Sequence, residues 1–308
     1  MGKRSKGRPV HGWLVLDKPQ GLTSTRAVSV AKRLADAAKA GHAGTLDPLA
    51  TGVLPIAFGE ATKTVPFVVD GAKSYRFTVA WGCETTTDDT EGEVLNESAA
   101  RPTRSDVERV LPEFTGDIMQ VPPDYSAVKV EGQRAYDLAR DGEAFELKAR
   151  PVLIERLALI EHDQEAGSVL EADCGKGTYV RALARDLGRR IGCFGHVIAL
   201  RRTRVGPFTD CQTISLAKLQ EMSHSAAGRE AVLTALKPVE TALDDIPALA
   251  VSGSDAARLK RGQAVLMRGR DAPILEGPVY AMSRGLLVAL GEVQHGELRP
   301  TRVFNLQG

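Results

Sequence analysis

The chain has 308 residues, 43% of them hydrophobic and 26% charged, with a formal net charge of +1. That length and composition suit a globular protein with one large folded unit, or a large and a small one, and exclude a disordered chain. No apolar run approaches the roughly 18 residues of a membrane span, and no apolar segment of a secretory signal follows the basic N-terminus, so no membrane association and a cytoplasmic address are expected.

The first predicted element is a short strand at "GWLVLDKPQG", ended by Lys18, Pro19 and a glycine turn. A helix is predicted over "TSTRAVSVAKRLADAAKAG", with Thr23 or Ser24 as its cap, apolar Val28, Ala31, Leu34, Ala35 and Ala38, and Gly41 at its stop. The stretch "AGHAGTLDPLATGVLPIAFG" follows, and Asp47 is its only fully ionised side chain. Asp47 can cap a one-turn helix that starts at Pro48 and stops at Gly52. It can also be a lone carboxylate set aside for chemistry, and the two readings are compatible, because a cap fixes a carboxylate in place. What decides is whether other residues converge on it.

In "SYRFTVAWG", Tyr75, Phe77, Val79 and Trp81 alternate with smaller or polar residues, which is strand period with an aromatic-rich face. The acidic run "CETTTDDTEGEV" reads as an exposed loop. Another strand is predicted at "SVLEADCGKG", then a helix in "TYVRALARDLGRRIG" with Ala182, Leu183, Leu187 and Ile191 on one face and Arg181, Arg185 and Arg189 on another. Strands alternating with helices predict a mixed α/β core with long functional loops. From about Asp245 short apolar runs broken by glycines predict a small β-rich unit, giving domains 1–245 and 246–308.

Charge is unevenly distributed. Residues 1–40 carry nine Lys or Arg against two acids, residues 174–206 carry eight against one, and residues 77–100 carry six acids without Lys or Arg. This suits a basic face for a polyanion beside an acidic face, or simply solvated helical surfaces. Cys83, Cys174, Cys193 and Cys211 form no C-x-x-C pair, and Cys193 with His196 is only half a zinc motif, so neither disulfides nor a metal are expected. "GKGT" is not a phosphate loop, since Leu170 stands where its first glycine belongs.

Taken together, "GWLVLDKPQGLTS", "GHAGTLDPLATGVLPIAFGEATK", "KSYRF" and "GTYVRALARDLG" resemble the successive motifs of the TruB family of tRNA pseudouridine synthases. "QVPPDYSAVKVEGQRAYDLAR" resembles a segment of the stand-alone bacterial members, and "VSGSDAARLKRGQAV" the start of a small PUA-like domain. The resemblance implies an α+β pseudouridine synthase fold, a central mixed sheet flanked by helices and loops, with a β-rich PUA-like RNA-binding domain behind it. It implies isomerisation of uridine 55 in the tRNA T arm by a monomer, without cofactor or guide RNA. By the same comparison Asp47 is the catalytic aspartate, Arg181 lies beside it, Tyr75 faces the target base, Tyr179 and Leu200 line the pocket, and His42 meets the T loop.

The chemistry fits such residues. The reaction breaks the N1–C1′ bond and joins C5 to the same carbon, with no net redox change, so no cofactor is demanded. A carboxylate can add to the base or stabilise a cation-like sugar, and Asp47 suits both routes. An adjacent acid would favour its protonation, a reason for its isolation. A base within a folded loop must be extruded, and stacking on Tyr75 and Tyr179 would hold it. On a helix Tyr179 and Arg181 would point about 200° apart, so the helix is predicted to begin after Tyr179. The arginines of "RALARDLGRRIG" and the basic N-terminus are expected to track phosphates, and Lys18–Pro19 to be a structural turn. A guide-RNA-dependent subunit of the dyskerin type and a non-catalytic RNA-binding module remain as alternatives. The bacterial-type segment argues against the first and Asp47 against the second.

Overall fold

The structure is a computed structural model that describes residues 7–130, 132–267 and 276–306. Basic Lys3, Arg4 and Lys6 lie outside the described residues. The N-terminal part runs β1 (Gly12–Lys18), α1 (Ser24–Leu34), β2 (Ala40–His42), β3 (Thr51–Phe58), α2 (Val65–Asp70), β4 (Lys73–Trp81), then the hairpin β5 (Cys83–Thr85) and β6 (Val94–Glu97). Next come α3 (Arg104–Val110), β7 (Gly116–Gln120), the short pair β8 (Lys129–Val130) and β9 (Gln133–Arg134), and α4 (Ala135–Asp141). The long hairpin β10 (Arg150–Asp163) and β11 (Gly167–Cys174) leads to α5 (Val180–Ile191), β12 (Gly195–Val205), β13 (Phe208–Thr209), β14 (Ile214–Ser215), α6 (Leu216–His224) and α7 (Arg229–Leu233). A second unit follows: β15 (Ala248–Ala250), α8 (Gly253–Lys260), β16 (Val265–Leu266), β17 (Gly277–Ser283), β18 (Leu286–Gln294) and β19 (Glu297–Val303).

The large sheet is mixed, in the order β14-β1-β3-β12-β4-β11-β10-β7, with β2 added beside β3 and β13 beside β12. Its central strands are apolar on both faces because each face has its own core. Leu14, Leu16, Leu54, Ile56 and Phe58 pack with Ala27 and Ala31 of α1 and Leu183 and Leu187 of α5. The alternate residues Trp13, Val15, Val53 and Ala57 pack on the other side with Phe208, Leu287, Leu290 and Phe304. The five-stranded C-terminal sheet, β15-β17-β18-β19-β16, therefore shares an apolar core with the large sheet while keeping its own cluster around Leu259, Val279 and Leu298. This architecture agrees with the fold class expected from sequence.

Three local expectations need correction. The first helix ends at Leu34, not near Gly41: Asp36 takes φ 48°, and Arg8 bonds across Asp36 and Ala38, turning the chain into β2. No helix starts at Asp47, because residues 47–50 form only a turn, closed by Ala50 N–H on the Asp47 carbonyl at 3.1 Å, and Gly52 lies inside β3. The acidic run is not an exposed loop either. Glu84, Thr85, Asp88 and Asp89 are buried, and β5–β6 structures its ends. The predicted start of α5 does hold: Tyr179 is its extended N-cap.

Phe304 is fully buried between the two sheets, and its neighbours are tied across the same boundary by Lys63 Nζ on the Val303 carbonyl at 2.8 Å and Asn305 N–H on Glu60 at 2.7 Å. Phe304→Ala should lower unfolding stability by about 3–5 kcal/mol, as for other buried aromatics cut back to a methyl group. Urea denaturation followed by tryptophan fluorescence, sensitive to Trp13 in the same cluster, measures it; an unchanged midpoint would contradict the shared core.

Candidate active site

Asp47 sits on the loop joining β2 to β3, and that loop is held by cations that bond its backbone rather than its acid. Arg202, fully buried on β12, donates from Nε to the Val53 carbonyl at 2.9 Å and from its two terminal nitrogens to the carbonyls of Thr45 at 3.3 Å and Gly44 at 3.0 Å. Lys18, at the end of β1, donates to the carbonyls of Pro19 at 3.0 Å, Leu22 at 2.7 Å and Pro48 at 3.3 Å. Burial lowers its pKa to about 8, with Asp47 pulling the other way. Ser24 closes the remaining side: its hydroxyl donates to the Leu46 carbonyl at 3.0 Å and accepts the Leu46 N–H at 2.8 Å. Gly52 makes the approach of β12 possible. It has φ 96°, and a Cβ there would collide with the Arg202 carbonyl.

From the facing helix, Arg181 donates Nε to Asp47 Oδ2 at 2.8 Å. The contact is a single hydrogen bond and not the two-pronged pairing that a guanidinium and a carboxylate often adopt, because the other nitrogens are engaged on the carbonyls of Thr87 at 2.7 Å and Tyr125 at 2.8 Å. Asp89 Oδ2 lies 3.6 Å from the same Nε. Asp47 is thus isolated in sequence but not in space: a second, buried carboxylate shares its arginine. The Asp47 side chain remains 38% exposed, and among the described residues Oδ1 accepts no hydrogen bond.

These groups border a cavity of about 480 Å3 that Asp47, Tyr75, Tyr179, Arg181, Leu200 and Arg202 help to line. Burial raises the pKa of both phenols. Five of the six residues singled out from sequence therefore meet at one opening, of a size suited to a small flat ligand. His42 is not among the residues that line it. It stands on β2, with Nδ1 buried and unpartnered among the described residues, and burial followed by Arg202 lowers its pKa. Arg202 and Gln120, which brackets the Tyr179 backbone, carry no site role in the sequence reading, and Ser24 enters it only as an alternative to Thr23, which caps α1. Arg202 was legible in principle, since it lies two residues from Leu200 on a strand and so on the same face.

The helix arginines do not form a phosphate track. Arg185 donates to Asp88 at 3.0 Å and to the Val121 carbonyl at 2.8 Å, Arg189 grips Glu84 with bonds of 2.7 and 2.6 Å, and Arg190 grips Glu113. The acidic run and the basic helix, separate in sequence, neutralise each other in the fold. Cys193 is buried and His196 turns instead to Cys83, with Nδ1 3.4 Å from Sγ. Among the described residues no group of three or more His, Cys, Asp or Glu side chains gathers as a metal site, and no helix is long and apolar enough to cross a membrane.

Comparison with known proteins gives this geometry a family. Residues 32–180 match the model of the TruB family pseudouridylate synthase N-terminal domain, and residues 181–244 that of the tRNA pseudouridylate synthase B C-terminal domain. The tRNA pseudouridine synthase B of Rhodopseudomonas palustris is 64% identical over 306 residues, covering 99% of this chain and 84% of that protein. That of Caulobacter vibrioides is 54% identical over 313 residues, covering 99% and 100%. Among solved structures, a Cbf5-Nop10-Gar1 complex superposes with a TM-score of 0.72 at 26% identity, over 98% of this chain and 91% of that one. An H/ACA RNP bound to a substrate RNA containing 2′-deoxyuridine shares the fold, with a TM-score of 0.74 at 24% identity over 99% and 92%.

Asp88 gives the docked acidic run a pH signature. Burial pushes its carboxyl from 3.8 up to about 7, against the pull of Arg185 and Arg181 and with help from Glu84 and Asp186. A group that binds its proton more tightly when folded adds stability that is full below its unfolded pKa and is lost as pH rises through its folded pKa. Parent stability should therefore fall, through this group, between about pH 4 and about pH 7 and then level off. Asp88→Asn removes that contribution and suits the left-handed backbone there, φ 59°. Urea denaturation at a series of pH values should find the stability of D88N relative to the parent rising up to about pH 7; a constant difference would contradict the assignment.

Proposed function

The chain belongs to the TruB family of pseudouridylate synthases, and from that premise we propose that it isomerises uridine 55 in the T arm of tRNA to pseudouridine, with Asp47 as the catalytic carboxylate. The observation that carries the reading is the Arg181–Asp47 hydrogen bond of 2.8 Å on the wall of a cavity also lined by Tyr75, Tyr179 and Leu200. Arg181 occupies Oδ2 and leaves Oδ1 for the reaction. An oxygen held in that way can add to the uracil or stabilise the positive charge that builds on the sugar as N1–C1′ breaks. The base turns, C5 joins C1′, the C5 proton is lost, and N1 is protonated, so atoms and charge balance with no added reagent.

An extruded uracil is flat and apolar on its faces, and the rings of Tyr75 and Tyr179 with the Leu200 side chain offer surfaces against which it can lie. The His42 edge, beside the β2–β3 loop, is assigned to the T loop. At the cavity rim Arg134 is exposed, as is Lys176, which also pairs with Asp70 at 2.9 Å; these rim cations are assigned to the RNA backbone. We assign residues 1–245 to catalysis and 246–308 to a PUA-like RNA-binding domain. The high identity to proteins named tRNA pseudouridine synthase B supports a stand-alone enzyme over a guide-dependent subunit.

Incubating the protein with unmodified tRNA and no guide RNA, then mapping pseudouridine, tests reaction and position together; product at another site, or none, refutes the proposal. Asp47→Asn should abolish product while changing tRNA affinity by less than about tenfold, since most affinity comes from phosphates. Retained turnover would remove Asp47 from its role. Arg181→Met should slow single-turnover chemistry severely. Arg181→Lys should be slowed less but remain well below the parent, because one ammonium cannot reproduce the planar, three-way set of bonds to Asp47, Thr87 and Tyr125. A normal rate with weakened, less salt-sensitive binding would instead make Arg181 a phosphate contact.

A further inference from the structure

Tyr179 holds an unusual post. It is the N-cap of α5, with φ −108° and ψ 112°, yet it makes no side-chain cap, and tyrosine has no intrinsic preference for that position. What brackets its backbone is Gln120, the last residue of edge strand β7, only 2% exposed. Tyr179 N–H donates to Gln120 Oε1 at 2.9 Å, and Gln120 Nε2 donates to the Tyr179 carbonyl at 3.2 Å. One primary amide therefore serves both backbone groups of a single residue, as a neighbouring strand would. A primary amide offers a donor and an acceptor side by side on one neutral planar group.

We propose that Gln120 is a positioning residue for the reaction: it holds the Tyr179 backbone extended, so that the Tyr179 ring and the Arg181 guanidinium, two residues apart, serve the same cavity. If Tyr179 joined the helix, the two side chains would diverge by about 200°. The proposal rests on the pocket reading given under Proposed function. The segment after Gln120 does not depend on it for attachment, since Arg185 holds the Val121 carbonyl at 2.8 Å and Arg181 the Tyr125 carbonyl at 2.8 Å. Removing the Gln120 amide thus releases the Tyr179 N–H and leaves the carbonyl to the Leu183 N–H of α5 at 3.1 Å, while the adjoining loop stays docked on α5.

The test is a double-mutant cycle of Gln120→Ala and Tyr179→Leu, read as single-turnover rates at saturating protein on a T-arm stem-loop RNA, with RNA affinity measured beside them. Q120A should be slower by about tenfold or more with affinity within about threefold, and Q120A/Y179L no slower than Y179L. A parent-like Q120A rate, or a double variant slowed by the product of the two single effects, overturns the proposal. If Y179L itself turns over at the parent rate, the pocket reading fails first and the proposal with it, which distinguishes the two failures. Gln120→Glu supplies a second readout and carries the test alone should Q120A lose its cooperative thermal transition. Its carboxylate keeps the acceptor but lacks the donor, and protonation restores an O–H, so the Q120E-to-parent rate ratio should climb as pH falls from about 8 to about 5.5. A flat ratio overturns the role of the donor.

Discussion

The site depends on the burial of one guanidinium. Arg181 is almost wholly out of water, and such a charge is tolerated only where its donors all find acceptors. Its three nitrogens bond the Asp47 carboxylate, the Thr87 carbonyl and the Tyr125 carbonyl, which belong to the β2–β3 loop, the acidic run and the segment after β7. Three stretches far apart in sequence are thereby referred to a single rigid helix. Shifting any one of them leaves an unpaired donor in a dry place, so the relative placement of the cavity walls is set by the cost of failing to satisfy Arg181.

The same helix explains the charge segregation of the chain. Arg181, Arg185 and Arg189 recur every four residues, and Asp89, Asp88 and Glu84 meet them in order. Each contact neutralises a charge that would otherwise repel or attract RNA. At the cavity rim Arg134 is exposed, while Lys176, also exposed, is itself paired with Asp70. Counting charges along the chain therefore overstates the electropositive surface, and the nearly balanced net charge describes the folded helix face better than its local sequence does.

Much of this was legible in the sequence because it lies in short-range pattern. Strand period marked β4, the Lys-Pro and glycine-turn ending marked β1, the apolar stripe marked α5, and the angular separation of Tyr179 and Arg181 marked where α5 begins. The long-range partners were not legible. Nothing near Asp47 announces Asp89, and nothing in the acidic run announces that it is buried, since burial there follows from arginines about a hundred residues later. The overlong first helix has a similar cause: Ala35, Ala37 and Ala38 suit a helix, but pairing of Arg8 with Ala37 overrides local preference.

The buried cations beneath Asp47 show why bonding to carbonyls differs from bonding to acids. Arg202 and Lys18 spend their donors on the carbonyls of Gly44, Thr45, Val53, Pro19, Leu22 and Pro48, groups that satisfy hydrogen bonds without cancelling charge. Their positive potential is therefore left to act on the loop they hold, where Asp47 is the only acid. Arg202 and Lys18 thus hold the loop without bringing in carboxylates of their own, and the second acid at the site, Asp89, arrives through Arg181 instead. Pinning by carbonyls fixes the backbone and adds no further acid to the loop. That division of labour accounts for a stretch of twenty residues that carries a single acid and no lysine or arginine of its own.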